Sequence, residues 1–183
     1  MLSGNNYNLY DMICKAHNFK PLAIISSPCY HTSMVDSRAL QKHSLFGGLE
    51  TDQIDSILHL MCEEVYGPNE SIISEGEPNG KIFFIIEGKV SVNRGDVLLS
   101  HFGEGEAFGE MEVLDVMPAA ATIKCLTPVK LMSLSNKALR EVYRLDLKIF
   151  SLIIMNLARD VCRRLRRMDE KMSDLPSTPS FLK

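Results

Sequence analysis

Gly105-Glu106-Ala107-Phe108-Gly109-Glu110-Met111-Glu112, followed shortly by Pro118-Ala119-Ala120-Ala121-Thr122, is the stretch on which the reading of this chain turns. A glycine at 109 carries no Cβ, so the backbone there is free to turn left-handed and bring its amides close to a ligand. A short helical turn over 111–113 would aim further N–H groups at an anion. An ionised carboxylate at 110 only accepts hydrogen bonds, which suits it to a donating hydroxyl such as that of a sugar. Taken alone, Glu110 reads as a turn or capping carboxylate; its neighbours are what give it meaning.

On either side of this stretch, apolar clusters fall at 72–73, 82–86, 90–92, 97–99, 120–123 and 129–134. Glycines at 76, 80, 88, 95, 103 and 105 stand between or beside them, as turns between short strands require. Many short strands with frequent turns predict a β-sandwich or β-roll. Helical spacing frames them. Thr51 or Asp52 is placed to cap a helix whose apolar face holds Ile54, Ile57, Leu58, Met61, Cys62 and Val65. Ser135 with Asn136 is placed to cap a second helical stretch that runs to about Met172, with a break near Leu145-Asp146. The expected organisation is an arm over 1–43, partly disordered, a domain over 44–172, and a flexible tail over 173–183 that holds Pro176 and Pro179.

In the last helical stretch, Leu147, Phe150, Ile154, Leu157, Val161, Leu165, Met168 and Met172 recur at three- and four-residue steps. Ile149, Leu152, Ile153, Ala158 and Cys162 supply a second apolar face. Two faces predict two partners, the roll and a copy of the same helix, and hence a homodimer with Leu147, Phe150, Ile154, Leu157, Val161 and Leu165 in its interface. The neighbouring Arg163, Arg164, Arg166 and Arg167 read as a solvated face.

Composition sets the bounds. The 183 residues carry a formal net charge of −3 and are 45% hydrophobic, enough for one well-buried domain and without the basic excess of a nucleic-acid or anionic-membrane binder. Five scattered cysteines form no disulfide-scaffold spacing, which predicts a reducing, cytoplasmic setting. No segment reads as a secretory leader or a bilayer span, so no membrane partner is expected. Cys14, His17, Cys29 and His31 fit no compact zinc spacing, and no metal is expected.

The stretch 105–110 with Pro118 and 120–122 resembles the phosphate-binding cassette of the cyclic nucleotide-binding domain family. The resemblance extends through Leu45-Phe46, Pro68-Asn69-Glu70, Ile72-Ile73, Glu75-Gly76, Phe83-Phe84-Ile85-Ile86 and Gly88-Lys89-Val90, about 130 residues in all. It implies an α+β fold: an antiparallel double-stranded β-helix, a jelly-roll-like β-roll, flanked by an N-terminal helix and a long C-terminal helix pair. In that family the ligand, cyclic AMP or cyclic GMP, lies between the roll and the last helix. The resemblance implies a ligand site at Phe108, Gly109, Glu110, Met111, Glu112, Ala119, Ala120 and Thr122, with Glu110 receiving the ribose 2′-hydroxyl.

Two positions depart from the family. Where it places an arginine after the cassette proline, whose planar fork meets two phosphate oxygens, this chain has Ala119. Where it prefers a small residue two positions after the cassette glutamate, this chain has Glu112, a second negative charge beside an anion's seat. Losing a charged hydrogen bond costs about 1.5 to 3 kcal/mol, and a like charge about 4 Å away costs on the order of 4 kcal/mol at an effective dielectric near 20. The expectation is a regulatory module with a degenerate cassette, weakly responsive or unresponsive to cyclic nucleotides and acting on an unknown protein partner. The alternatives are a working cyclic AMP sensor of the transcription-regulator type, or another ligand in the same cleft. With eleven residues after Met172, no helix-turn-helix is expected to follow, and so no DNA binding. No closely spaced cysteine trio suggests an iron–sulfur cluster, no nucleophile motif suggests a hydrolase, and no catalytic residue is assigned.

Overall fold

The computed structural model describes residues 36–115 and 117–173. Helix α1 (Ser37–Gln41) and a 3-10 turn (Ser44–Phe46) lead into α2 (Thr51–Leu58). Eight strands follow: β1 (Cys62–Tyr66), β2 (Ser71–Ile73), β3 (Lys81–Glu87), β4 (Val90–Arg94), β5 (Val97–Phe102), β6 (Ala107–Phe108), β7 (Thr122–Cys125) and β8 (Val129–Ser135). Helix α3 (Glu110–Asp115) sits between β6 and β7, and α4 (Asn136–Leu145) and α5 (Leu147–Ser173) close the chain. The strands form two antiparallel four-stranded sheets, ordered β1-β8-β3-β6 and β2-β7-β4-β5. This is the expected β-roll with a helix before it and a helix pair after it.

Strand β3 shows why the roll and helices hold together. Its 82–85 run, Ile-Phe-Phe-Ile, is buried on both faces, as a strand between two apolar layers must be. Phe83 and Ile85 point into the roll with Val90, Phe108, Ile123 and Leu131. Ile82 and Phe84 point the other way, onto Leu40, Phe46, Ile54, Leu139, Ile153 and Leu157 of the helical layer. Each such side chain contributes roughly 1.5 to 3 kcal/mol by leaving water.

Several expectations are corrected. The first helix ends at Leu58, and Cys62 and Val65 lie on strand β1, paired with β8, with Val65 exposed. The three- and four-residue spacing there was coincidence, because backbone pairing with β8 decides the conformation. The cap is Glu50, whose N–H donates to Gln53 Oε1 at 3.0 Å, in place of Thr51 or Asp52. Leu40 on α1 is fully buried in the helical core, so the packed domain begins before residue 44. The rest of the expected arm, with Cys14, His17, Cys29 and His31, and the tail beyond Ser173 lie outside the described residues.

Helix α4 begins at Ser135, whose Oγ accepts from the Ala138 N–H at 3.1 Å, and ends at Asp146 as expected. Asp146 in turn starts α5, its Oδ1 accepting from the Lys148 and Ile149 N–H groups. On α5 the interface stripe is split. Leu157 is 1% exposed inside its own domain, and Phe150 packs edge-on against Tyr143 with ring centroids 5.3 Å apart. Of the second face, Ile149 and Ile153 are buried, whereas Ala158 and Cys162 are exposed. A straight helix drifts about 20° per heptad against a 3.5-residue repeat, so one long stripe cannot stay on one side of a domain.

Candidate functional site

The cassette is built from the end of β6 and the first turn of α3. Phe108 anchors it, 1% exposed and stacked on Phe83 with ring centroids 5.2 Å apart. Gly109 follows at φ 77°, and a Cβ there would sit 2.6 Å from the Lys81 carbonyl and 2.9 Å from Asn79 Nδ2. Glycine is therefore required, because the turn is left-handed and backbone lies against it. Asn79 ties this corner together by donating to the carbonyls of Lys81 (2.8 Å) and Gly109 (3.2 Å) and to Glu112 Oε2 (3.3 Å).

Glu110 is 4% exposed. Its Oε1 accepts from Arg164 Nη1 at 2.7 Å, across the gap between cassette and α5. Arg164 also donates through Nη2 to the Ala107 carbonyl and lies over the Phe102 ring, 4.5 Å from its centroid. Burial pushes the Glu110 carboxyl above its ordinary value; Arg164 opposes this, while Glu112 and Asp160 reinforce it. Glu112, also buried, accepts from Asn79. Two carboxylates thus lie inside the cassette with one arginine between cassette and helix.

Ala119 is 3% exposed among the apolar side chains of the roll interior. Its N–H donates to the Glu77 carbonyl (2.9 Å) and its carbonyl accepts from Gly76 N–H (2.8 Å), so the backbone is fixed but no cation extends from it. Thr122 Oγ1 accepts from the Glu75 N–H at 3.0 Å, and Met111 and Ala120 are exposed. Of the expected residues, Phe108 and Ala119 share the apolar cluster inside the roll. Neither Lys124 nor Arg94 replaces the arginine: Lys124 points outward from β7, and Arg94, also exposed, faces Glu75 at 3.9 Å.

Sequence reasoning missed Arg164, which was counted in a solvated arginine face. The signal was its place seven residues after Leu157, on the side of α5 that meets the domain. Next to it, Asp160 accepts from Ser44 Oγ at 2.7 Å and pairs with Arg163, and Asn156 Nδ2 donates to the Leu45 and Gly47 carbonyls. A cleft of about 200 Å³ lies here between Ser44, the 105–107 backbone and Arg163, Arg164 and Arg167. Among the described residues no cluster of three or more His, Cys, Asp or Glu is arranged to hold a metal, and no helix is long and apolar enough to cross a membrane.

The family model for the cyclic nucleotide-binding domain matches residues 63–146, which hold the roll with its glycine-turned cassette and helix α4 but not the helix α5 that reaches Glu110. Among curated proteins, the chain is 32% identical over 142 residues to Glutaminase 2 of Bradyrhizobium diazoefficiens, covering 77% of this chain and 23% of that one. It is 28% identical over 141 residues to the CRP-like cAMP-activated global transcriptional regulator of Mycobacterium tuberculosis, covering 74% of this chain and 61% of that one. The chain thus spans only part of these relatives, from under a quarter to about three fifths. Among solved structures, a cyclic nucleotide-binding domain from Methylobacillus flagellatus superposes with a TM-score of 0.69 at 20% identity, over 79% of this chain and 85% of that one. The regulatory subunit of a cAMP-independent protein kinase A from Trypanosoma brucei, as a mutant bound to cAMP, superposes with a TM-score of 0.58 at 23% identity, over 67% and 44%.

Proposed function

We propose that this chain is a regulatory module whose nucleotide site has kept its sugar half and lost its phosphate half. It responds weakly or not at all to cyclic AMP and cyclic GMP and acts through protein contacts, as a homodimer and on a further protein partner, without catalysing a reaction. The observation that carries the reading is Ala119, buried in the apolar interior where an anion would need a guanidinium, with Glu112 buried nearby. Glu110, by contrast, remains in place and pairs with the last helix.

The Trypanosoma brucei relative, described as cAMP-independent, supports the reading by its spacing. The form described as bound to cAMP carries a glutamate changed to alanine, a threonine seven positions later changed to arginine, and the next residue, a valine, changed to alanine. Glu112, Ala119 and Ala120 stand at the same spacing here, the last already alanine. DNA binding by this chain is not part of the reading, because Arg164 and Arg163 are spent on Glu110 and Asp160.

Calorimetric titration tests this. The unaltered protein shows no binding or weak binding of cyclic AMP, and Ala119→Arg with Glu112→Ala raises affinity at least about tenfold, which needs only about 1.4 kcal/mol, less than one new charged contact supplies. Adding Glu110→Ala to the repaired protein lowers it again. Micromolar binding by the unaltered protein would overturn the degenerate reading in favour of a working sensor.

A further inference from the structure

Asp160, Arg163, Arg164 and Arg167 stand at i, i+3, i+4 and i+7 on α5 and so share one face of the helix. That face lines the cleft of about 200 Å³, which uses none of the cassette positions Gly109, Glu112, Ala119 or Thr122. The opposite walls are fixed in advance. The Gly105 N–H donates to the Ile85 carbonyl and the Ile85 N–H to the Glu106 carbonyl, both at 3.0 Å, and the His43 imidazole adds a hydrogen bond to the Gly105 backbone. The turn that carries Ser44 is held by buried Leu45 and Phe46 and by Asn156 Nδ2, which donates to the Leu45 and Gly47 carbonyls. A preformed pocket costs its ligand little ordering.

Charge defines what the cleft takes. Three guanidinium groups line it against two carboxylates, Asp160 and Glu106. Both carboxylates are engaged: Asp160 spends Oδ2 on Ser44 and Oδ1 on Arg163, and Glu106 Oε2 accepts from the Gly103 N–H at 2.8 Å. Arg163 has given one N–H to Asp160, and Arg164 has given two, to Glu110 and the Ala107 carbonyl, so each of these five-donor groups has donors left. Arg167 forms no ion pair or side-chain hydrogen bond with any described residue. We propose that the cleft binds a small phosphate, as inorganic phosphate or a phosphomonoester, seated on Arg167 and Arg163 with Arg164 beside it. A planar guanidinium fork offers two parallel hydrogen bonds, and a tetrahedral anion meets two forks at once. The volume of about 200 Å³ equals roughly seven waters at ~30 Å³ each, room for a phosphate with a short substituent, and lies below the ~300 Å³ at which drug-sized sites begin. The site lies outside the cassette and does not depend on the reading of it given above.

Calorimetric titration of inorganic phosphate and of glycerol 3-phosphate into the full chain tests the site, in about 0.15 M chloride so that diffuse attraction is screened. The expected result is saturable single-site binding with a Kd of about 1 mM or tighter, weakened at least about tenfold by Arg167→Gln. Arg167→Lys, which keeps the charge without the fork, should lose less. Asp160→Asn should tighten binding, because a like charge is removed and Arg163 is released to the ligand. Arg166→Gln, exposed and outside the cleft, should change affinity by less than about twofold, since a screened surface charge contributes little. Backbone amide NMR places the ligand: the signals of Ser44 and 105–107 should move while those of 119–122 stay. Tighter binding of inorganic phosphate names the free anion as the ligand, and tighter binding of glycerol 3-phosphate names a monoester. No saturable binding of either probe, or affinity indifferent to Arg167→Gln, overturns the site and leaves the cassette reading untouched. Shifts confined to 110–122 overturn it too, and would count against the cassette reading as well.

Discussion

At Gly109 a side chain is excluded twice, by the left-handed backbone at φ 77° and by the Lys81 carbonyl. Gly109→Ala is expected to cost at least about 2 kcal/mol in urea unfolding, since the backbone strain alone is roughly 1 to 2 kcal/mol and the clash adds to it. Arg164 is the other sensitive position. Arg164→Gln leaves Glu110 buried without its cation, and loss of one partner of such a pair costs about 3 to 5 kcal/mol. Faster amide exchange over 158–173 would report the loosened helix, and Arg164→Gln with Glu110→Gln should recover part of the loss. Two glutamates give stability opposite pH slopes. Burial works to raise the Glu64 carboxyl, but Ser133, Lys81 and Tyr66, whose groups lie 2.5, 2.9 and 2.7 Å from it, hold it below its ordinary value. Its contribution is present above the unfolded carboxylate range and is lost as pH falls through the folded value. Glu110 is shifted upward, so between the unfolded and folded values the folded protein holds a proton the unfolded chain has lost, and stability falls as pH rises through that window. In urea titrations, Glu64→Gln should therefore cost about 1.5 to 3 kcal/mol at neutral pH and less near pH 3.5.

The elements differ in how far they can be read alone. Strands β2, β3, β4, β5, β7 and β8 coincide with apolar clusters between glycines, because each buries enough side chain to mark itself. Strand β1 did not, since its Cys-Glu-Glu-Val-Tyr run sets two adjacent glutamates in place of an apolar cluster and hides Glu64 in a hydrogen-bonded group. Strand β6, two residues long, has no period to detect. Caps follow the same division. Ser135 is a local device, and Ser135→Ala should lower stability by about 1 kcal/mol, readable as a shift in melting temperature. Helix α5 was legible as a long amphipathic helix, but not which of its apolar residues face inward. That depended on where the Asp146 cap sets its first turn against the roll.

In the whole molecule, β3 and β8 form a wall between two apolar layers, one inside the roll and one under the helices. Phe84→Ala, at the centre of the helical layer, should cost about 3 to 5 kcal/mol by calorimetric unfolding, whereas Val97→Thr on exposed β5 should change stability by less than about 0.5 kcal/mol. The sequence by itself determined the roll, the helices on either side of it, the cassette and its two departures, Glu112 and Ala119, because each rests on local residue order: glycine turns, apolar clusters and motif spacing. Only the tertiary structure decided that Arg164 turns inward to Glu110, that Leu157 belongs to the core, and that Met155, Ala158, Cys162 and Leu165 are left outward. The pairing of residues 54 positions apart, and the phase of a helix against a sheet, depend on how distant segments pack, and no local pattern encodes that.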